Sequence, residues 1–226
     1  MKISIILLGL WMSLAAVRGQ SSFTNSYSIS PYVDIPQGNL VGVSEQFVVS
    51  GMSGVLGGLT LSLNIAGGFN GNLYSYLVGP QGQMAILLNS VGVTTSNPFG
   101  AFDAGFNIVL DMHAANNVHD YTSFQYSLNG NGQVTGTWAA DGRNIDPLSD
   151  PAAFDSAATT SGLNVFQGME ANGTWTLFLA EAGSGGVQPV LQSAILTVTT
   201  IPEPAIMALF GLGISCLLLA RRRKQF

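Results

Sequence analysis

In Leu59-Thr60-Leu61-Ser62-Leu63-Asn64-Ile65 every odd position is apolar and every even one polar. Side chains of a strand alternate between its two faces, so a period of two over seven residues makes this segment a strand with one face on a core and one in water. The same period runs through Phe106 to Met112, Thr174 to Leu179 and Val190 to Thr199. Val41 to Ser50, Leu73 to Val78, Met84 to Asn89 and Tyr121 to Leu128 are further strand candidates. Between them sit turn residues: Gly67-Gly68, Asn70-Gly71, Pro80-Gln81-Gly82, Asn129-Gly130, Asp141-Gly142, Asn172-Gly173 and Gly183 to Gly186. Roughly eight strands and no long amphipathic helix predict an all-β fold, an antiparallel jelly-roll-like β-sandwich. Gln20 to Ser30 and Ile145 to Thr160 read as loops.

The two ends of the chain differ from this middle. Lys2 precedes an apolar run from Ile3 to Trp11, and Ala15-Ala16-Val17-Arg18-Gly19 supplies small residues for cleavage between Gly19 and Gln20, the pattern of a signal peptide. At the other end, the sixteen apolar residues Ala205 to Ala220 precede Arg221-Arg222-Arg223-Lys224. As a helix that run spans about 24 Å, slightly short of the hydrocarbon core of a bilayer but able to lodge in it. The cations behind it resist transfer and hold the basic end on the cytoplasmic side, which places the middle of the chain outside. The expected division is a signal peptide at 1–19, an extension at 20–34, a sandwich at 35–200 and a sorting segment at 201–226, with a transmembrane helix at 205–220 and a basic end at 221–224.

Pro202-Glu203-Pro204, the short apolar helix and the terminal cations, in that order, resemble the PEP-CTERM sorting signal of Gram-negative bacteria that make extracellular polysaccharide. The resemblance implies export through the Sec machinery, then recognition by an exosortase and delivery from a membrane-anchored precursor to the cell surface. Pro202, Glu203, Pro204, Arg221, Arg222 and Arg223 would be recognition elements, since the catalytic groups belong to the exosortase.

Between the two signals one cation, Arg143, faces eleven acids, a formal charge of −10. Such a surface repels phosphate backbones, so nucleic acid is excluded as a partner and cations are favoured. The single cysteine, Cys216, lies in the apolar tail, so no disulfide can staple the sandwich.

Two stretches of the middle resemble the P domain of proprotein convertases. Asn72-Leu73-Tyr74-Ser75-Tyr76-Leu77-Val78-Gly79-Pro80-Gln81-Gly82-Gln83 is similar to that family's strand ending in a Pro and Gly turn. Leu163 to Gly168, followed by Asn172-Gly173-Thr174-Trp175-Thr176-Leu177, resembles its late Gly-x-Trp-x-Leu strand, with a last strand at Leu191 to Val198. Gly79, Glu181 and Ala194 stand where the family usually carries Ser, Asp and Trp. P domains accompany a subtilisin-like protease domain, and residues 20–200 are too few to hold both. The resemblance therefore implies a solitary module for binding or structure. Alternation independently points Trp175, Leu177 and Leu179 together into the sandwich.

Catalytic sets are thin. Asp111, His119 and a serine make a triad only on paper, because no Gly-x-Ser-x-Gly elbow occurs. His113 and His119 read as solvated turn residues. Glycoside hydrolysis needs paired carboxylates, for which Asp111, Glu170 and Glu181 are the candidates of an alternative reading, a secreted carbohydrate-active enzyme. Glu170 and Glu181 adjoin Gly-rich turns, where acids are ordinarily solvated. Calcium takes six to eight oxygens from carboxylates and loop carbonyls. Asp34, Asp103, Asp111 and Glu181 stand at loop or strand ends as candidate calcium (Ca2+) ligands, although no Asp-x-Asp-x-Asp-Gly loop is present. Asn172-Gly173-Thr174 fits a glycosylation sequon but reads as a turn. The expectation is an exosortase-processed surface or matrix protein with a non-catalytic sandwich, linked to exopolysaccharide and binding polysaccharide or an envelope protein.

Overall fold

The computed structural model of the chain describes residues 21–202. The predicted signal peptide, its Gly19/Gln20 junction, the apolar segment 205–220 and the recognition residues Glu203, Pro204, Arg221, Arg222 and Arg223 lie outside the described residues.

In chain order the strands are β1 (Phe23–Ile29), β2 (Val33–Asp34), β3 (Asn39–Val49), β4 (Val55–Ala66), β5 (Leu73–Val78), β6 (Met84–Asn89), β7 (Gly105–Asp111), β8 (Val134–Trp138), β9 (Gly173–Glu181) and β10 (Val190–Ile201). They form two sheets, one ordered β1-β10-β4-β7-β8 with β2 also paired to β10, the other ordered β3-β9-β5-β6. The protein is an all-β sandwich.

The alternation read in the sequence sets which side chains meet. Leu59, Leu61, Leu63 and Ile65 of β4 are buried, as are Phe106, Ile108 and Leu110 of β7 and Leu191, Ala194, Leu196 and Val198 of β10. In the other sheet Phe47 and Val49 of β3, Leu73 and Leu77 of β5, and Trp175, Leu177 and Leu179 of β9 belong to the same core. Trp175 is fully buried, its ring 4.8 Å from Phe166 and its indole N–H donating to the Ala171 carbonyl at 2.9 Å. Ser75, on the core-facing parity of β5, is satisfied by donating to the Phe178 carbonyl at 2.7 Å. Asn172 of the sequon is a bridge: its side chain accepts from the Met52 amide and donates to the Met52 carbonyl, at 2.9 and 2.7 Å.

Four expectations are corrected. Of the expected extension 20–34, with its expected loop from Gln20 to Ser30, residues 22–34 belong to the sandwich, because β1 pairs with β10 from Phe23↔Thr200 to Ile29↔Ala194, and Ser22–Ile201 cluster as one unit. The hydroxyl pairs Thr24–Thr199 and Ser26–Thr197, each at 2.8 Å, stitch the outer face of this edge, where alternation carries little apolar signal. The predicted strand Tyr121 to Leu128 begins instead in a 3-10 turn at Val118–Ser123, started by the Asn117 side chain accepting from the His119 amide at 2.9 Å. The unpredicted β8 pairs with β7 in parallel, Phe106↔Val134 to Leu110↔Trp138, so the sandwich is not wholly antiparallel. Finally, the loop from Ile145 to Thr160 contains helix α1 (Pro151–Ser156), capped by Asp150 accepting from the Ala152 amide at 3.0 Å.

Candidate functional site

Alternation along β9 does not stop at Leu179. The next core-facing position is Glu181, which is 0% exposed. Three chain segments close over it: Ile35 N–H donates to the Pro189 carbonyl (2.8 Å), Gly38 N–H to that of Gly183 (2.8 Å), Gly68 N–H to that of Val187 (2.7 Å) and Ala182 N–H to that of Asn72 (2.8 Å). Gln37 adds a bond from Nε2 to the Gly185 carbonyl at 3.3 Å, and the Gln188 amide donates to the Ile35 carbonyl. Gly68, at φ +70°, packs against Pro189 in this enclosure, where a Cβ would come within 3.0 Å of the proline ring. Neither carboxylate oxygen of Glu181 has a hydrogen-bond partner. Burial pushes its carboxyl above the ordinary glutamate range. The side chains of Gln37 and Asn72 and the Phe69 amide lie close enough to oppose that shift, though none reaches hydrogen-bonding geometry.

A second buried polar group lies under the loop that follows β8. Asp141 and His119 are 0% and 1% exposed, with Nδ1 of the imidazole 2.8 Å from Asp141 Oδ2 and Nε2 3.0 Å from the Val93 carbonyl oxygen. Both ring nitrogens thus face oxygen atoms. Asp141 Oδ2 also accepts from the Asn89 amide at 3.2 Å, and Oδ1 accepts from Arg143 N–H and Nη1, each at 3.3 Å. Arg143, the lone cation of residues 20–200, is therefore spent on structure and reaches out only to Asp120, at 3.5 Å. The solvated-turn reading holds for exposed His113 and fails for His119, which Asn117 turns inward.

The third feature is an open cleft of about 400 Å³ lined by Asp111, Asn117, Asp120, Thr159 and Asn164, with Met112 and Leu163 contributing apolar surface. Asp111, ending β7, accepts from the His113 amide at 2.8 Å. Volume and lining suit a polyhydroxylated ligand, whose hydroxyls pair with carboxylates and amides.

The four predicted calcium acids do not converge. Asp34 is exposed on β2 opposite Val190, Asp103 accepts from the Tyr121 hydroxyl at 2.6 Å, Asp111 lines the cleft and Glu181 is enclosed at the end of β9. Among the described residues no group of three or more His, Cys, Asp or Glu side chains is placed to hold a metal ion. Of the paired-carboxylate candidates, only Asp111 lies in the cleft; Glu170 is exposed near Leu56, whose amide donates to the Met169 carbonyl at 2.7 Å. Asp120, which the sequence reading passed over, is the second acid of that cleft.

Residues 200–224 match the PEP-CTERM protein-sorting motif. The motif supports an exported surface protein processed by an exosortase from a membrane-anchored precursor. Comparison with curated proteins finds no match. Among solved structures, the chain is similar to a serine protease of Aeromonas sobria in complex with its chaperone, at 14% identity over 86% of this chain and 29% of that one, TM-score 0.47. It is also similar to the serine protease of Aeromonas sobria, at 15% identity over 84% of this chain and 29% of that one, TM-score 0.45. The chain thus spans less than a third of the length of these proteins.

Proposed function

We propose that the sandwich is a non-catalytic binding module, P-domain-like in its strand motifs, which attaches the exported protein to extracellular polysaccharide. The observation that carries this reading is the cleft of about 400 Å³, whose hydrogen-bonding side chains are carboxylates, amides and a hydroxyl. Such a lining accepts from and donates to sugar hydroxyls, while the negative charge of the domain disfavours phosphate ligands. The sorting motif supplies the setting, because its product is delivered to the cell surface.

Affinity electrophoresis of the full chain against the producing organism's own exopolysaccharide tests the proposal. Binding should weaken about tenfold in Asp111→Asn and in Asn164→Ala, the size expected for one hydrogen bond involving a charged or well-placed polar group. Unchanged binding in both variants would place the ligand elsewhere. Release of oligosaccharides, abolished in Asp111→Asn, would replace the binding module with the carbohydrate-active enzyme, using Asp111 and Asp120. Replacing Pro202-Glu203-Pro204 with alanines should leave uncut precursor in the membrane, and normal processing of that variant would count against exosortase recognition.

A further inference from the structure

We propose that the sugar taken by the cleft carries a free amine, so that the ligand is a cationic, amino-sugar polysaccharide. The inference rests on the reading of the cleft as the glycan site and names the class of glycan. Its starting observation is a charge imbalance. Asp111 and Asp120 both line the cleft, and no lysine or arginine is among the lining residues. Arg143, the lone cation of residues 20–200, stands 3.5 Å from Asp120 but also answers the buried Asp141 at 3.3 Å. Asp111, Asp120 and Asp141 thus set three carboxylates against one guanidinium, and the balance at the cleft is negative.

Asp111 is the better placed of the two acids. Its Oδ1 takes both internal contacts, accepting from the His113 amide at 2.8 Å with the exposed His113 ring 3.6 Å away, which leaves Oδ2 to a ligand. The Asp120 side chain is 43% exposed, so its carboxylate is open to the cleft beside Arg143. Asn117 has no capacity to spare, because its amide donates to the Ala140 and Asp141 carbonyls and accepts from the His119 amide. What the cleft offers at full charge is therefore acceptors alone. An ammonium group is the converse, three N–H donors and no acceptor, and bonds between ionised partners are about twice as strong as neutral ones. A uronate or a phosphate would bring a second set of acceptors and meet repulsion. An N-acetylated sugar keeps one N–H but loses the charge, so it forfeits the stronger bond.

The test titrates the full chain in detergent with two probes of one backbone, short oligomers of glucosamine and of N-acetylglucosamine of equal length, by calorimetry at low and high salt. The glucosamine oligomer should bind about tenfold or more tightly than its acetylated counterpart, and the advantage should shrink at high salt. Asp111→Asn keeps the oxygen that holds the His113 amide and should remove most of that preference. Glu170→Gln makes the same change of charge at an exposed acid outside the cleft lining and should leave the preference intact. Equal affinity for the two oligomers, no binding of either, or an equal loss in Glu170→Gln would each overturn the amine. The cleft itself would survive those results if the producing organism's own polysaccharide still bound less tightly to Asp111→Asn and Asn164→Ala. If that binding too were indifferent to both variants, the reading of the cleft as a glycan site would fall with the amine.

Discussion

Asp141→Asn is the sharpest probe of the buried polar group, because one oxygen is exchanged for an NH2 with almost no change in volume. The carboxylate receives four N–H groups: Asn89 N and His119 Nδ1 on Oδ2, and Arg143 N and Nη1 on Oδ1. An amide keeps one oxygen, so whichever way it turns, two donors meet a donor. Each orphaned buried donor costs about 1–3 kcal/mol, and breaking a buried ion pair by removing one partner costs about 3–5 kcal/mol. These terms describe overlapping losses and are not added; about 3–5 kcal/mol is the expected total. At roughly 2–4 °C per kcal/mol for a domain of this size, the melting temperature falls by about 6–20 °C. Against a typical stability of about 5–15 kcal/mol, that removes a fifth or more. The assay is a urea and thermal melt of the full chain followed by tryptophan fluorescence, Trp175 being fully buried in the core. In Asp141→Asn/His119→Gln the losses should be less than additive, with about 0.5–3 kcal/mol of coupling. A single variant within about 1 kcal/mol of the native protein, or strict additivity in the double variant, would show that the four contacts carry no weight.

Trp175→Ala should cost about 3–5 kcal/mol in the same melts, since it empties the space against Phe166 and leaves the Ala171 carbonyl without its donor; a loss under about 1 kcal/mol would refute its role as anchor. Gly105→Ala should destabilise the sandwich by more than about 1 kcal/mol, because the residue has φ +90° and a Cβ would lie 2.1 Å from the Ile65 carbonyl oxygen; a neutral variant would refute the close approach of β4 and β7 there. For Glu181 the folded carboxyl lies above its ordinary value of 4.5, so its contribution to stability is greatest below that pH and is lost as pH rises through the folded value. The native sequence should therefore lose stability relative to Glu181→Gln as pH rises above the ordinary value of 4.5. A gain with rising pH would reverse the sign and refute the burial of an unpaired acid.

The strands that could be read from the sequence are those with one dry face. β4, β7, β9 and β10 alternate cleanly because each lies against the core, and their buried residues are the ones alternation selects. β1 was missed because its outer face is a row of hydroxyls and its inner face sets only Tyr27 and Ile29 against the core, too few apolar residues to mark a period. Tyr121 to Leu128 failed for the opposite reason: Tyr121, Phe124 and Tyr126 are aromatic enough for a strand, but the rings pack on one another and on Trp138 around a turn that Asn117 initiates. His119 was invisible for the same cause, since its partner Asp141 is twenty-two residues away and joined only through the fold.

Glu181 differs from these, because the information was present and a stronger local rule concealed it. Glycines at 183, 185 and 186 argue for a solvated turn, whereas the period of β9 argues for an inward side chain, and the period wins because β9 is flanked by β3 and β5 through its last residue. A strand interior in its sheet keeps its parity until its pairing ends, and Asn39↔Glu181 and Leu73↔Glu181 show that pairing has not ended. The chain also enters and leaves the sandwich at one end, where Phe23 pairs with Thr200 and Val55 with Ile201. The start of β10, where Val190 pairs with Ala66, is at the other, and the loop that carries β9 to it closes over Glu181. The sorting motif thus follows the end of β10, whereas the enclosed carboxylate lies beside the loop that leads into its start, so the two occupy opposite ends of the sandwich.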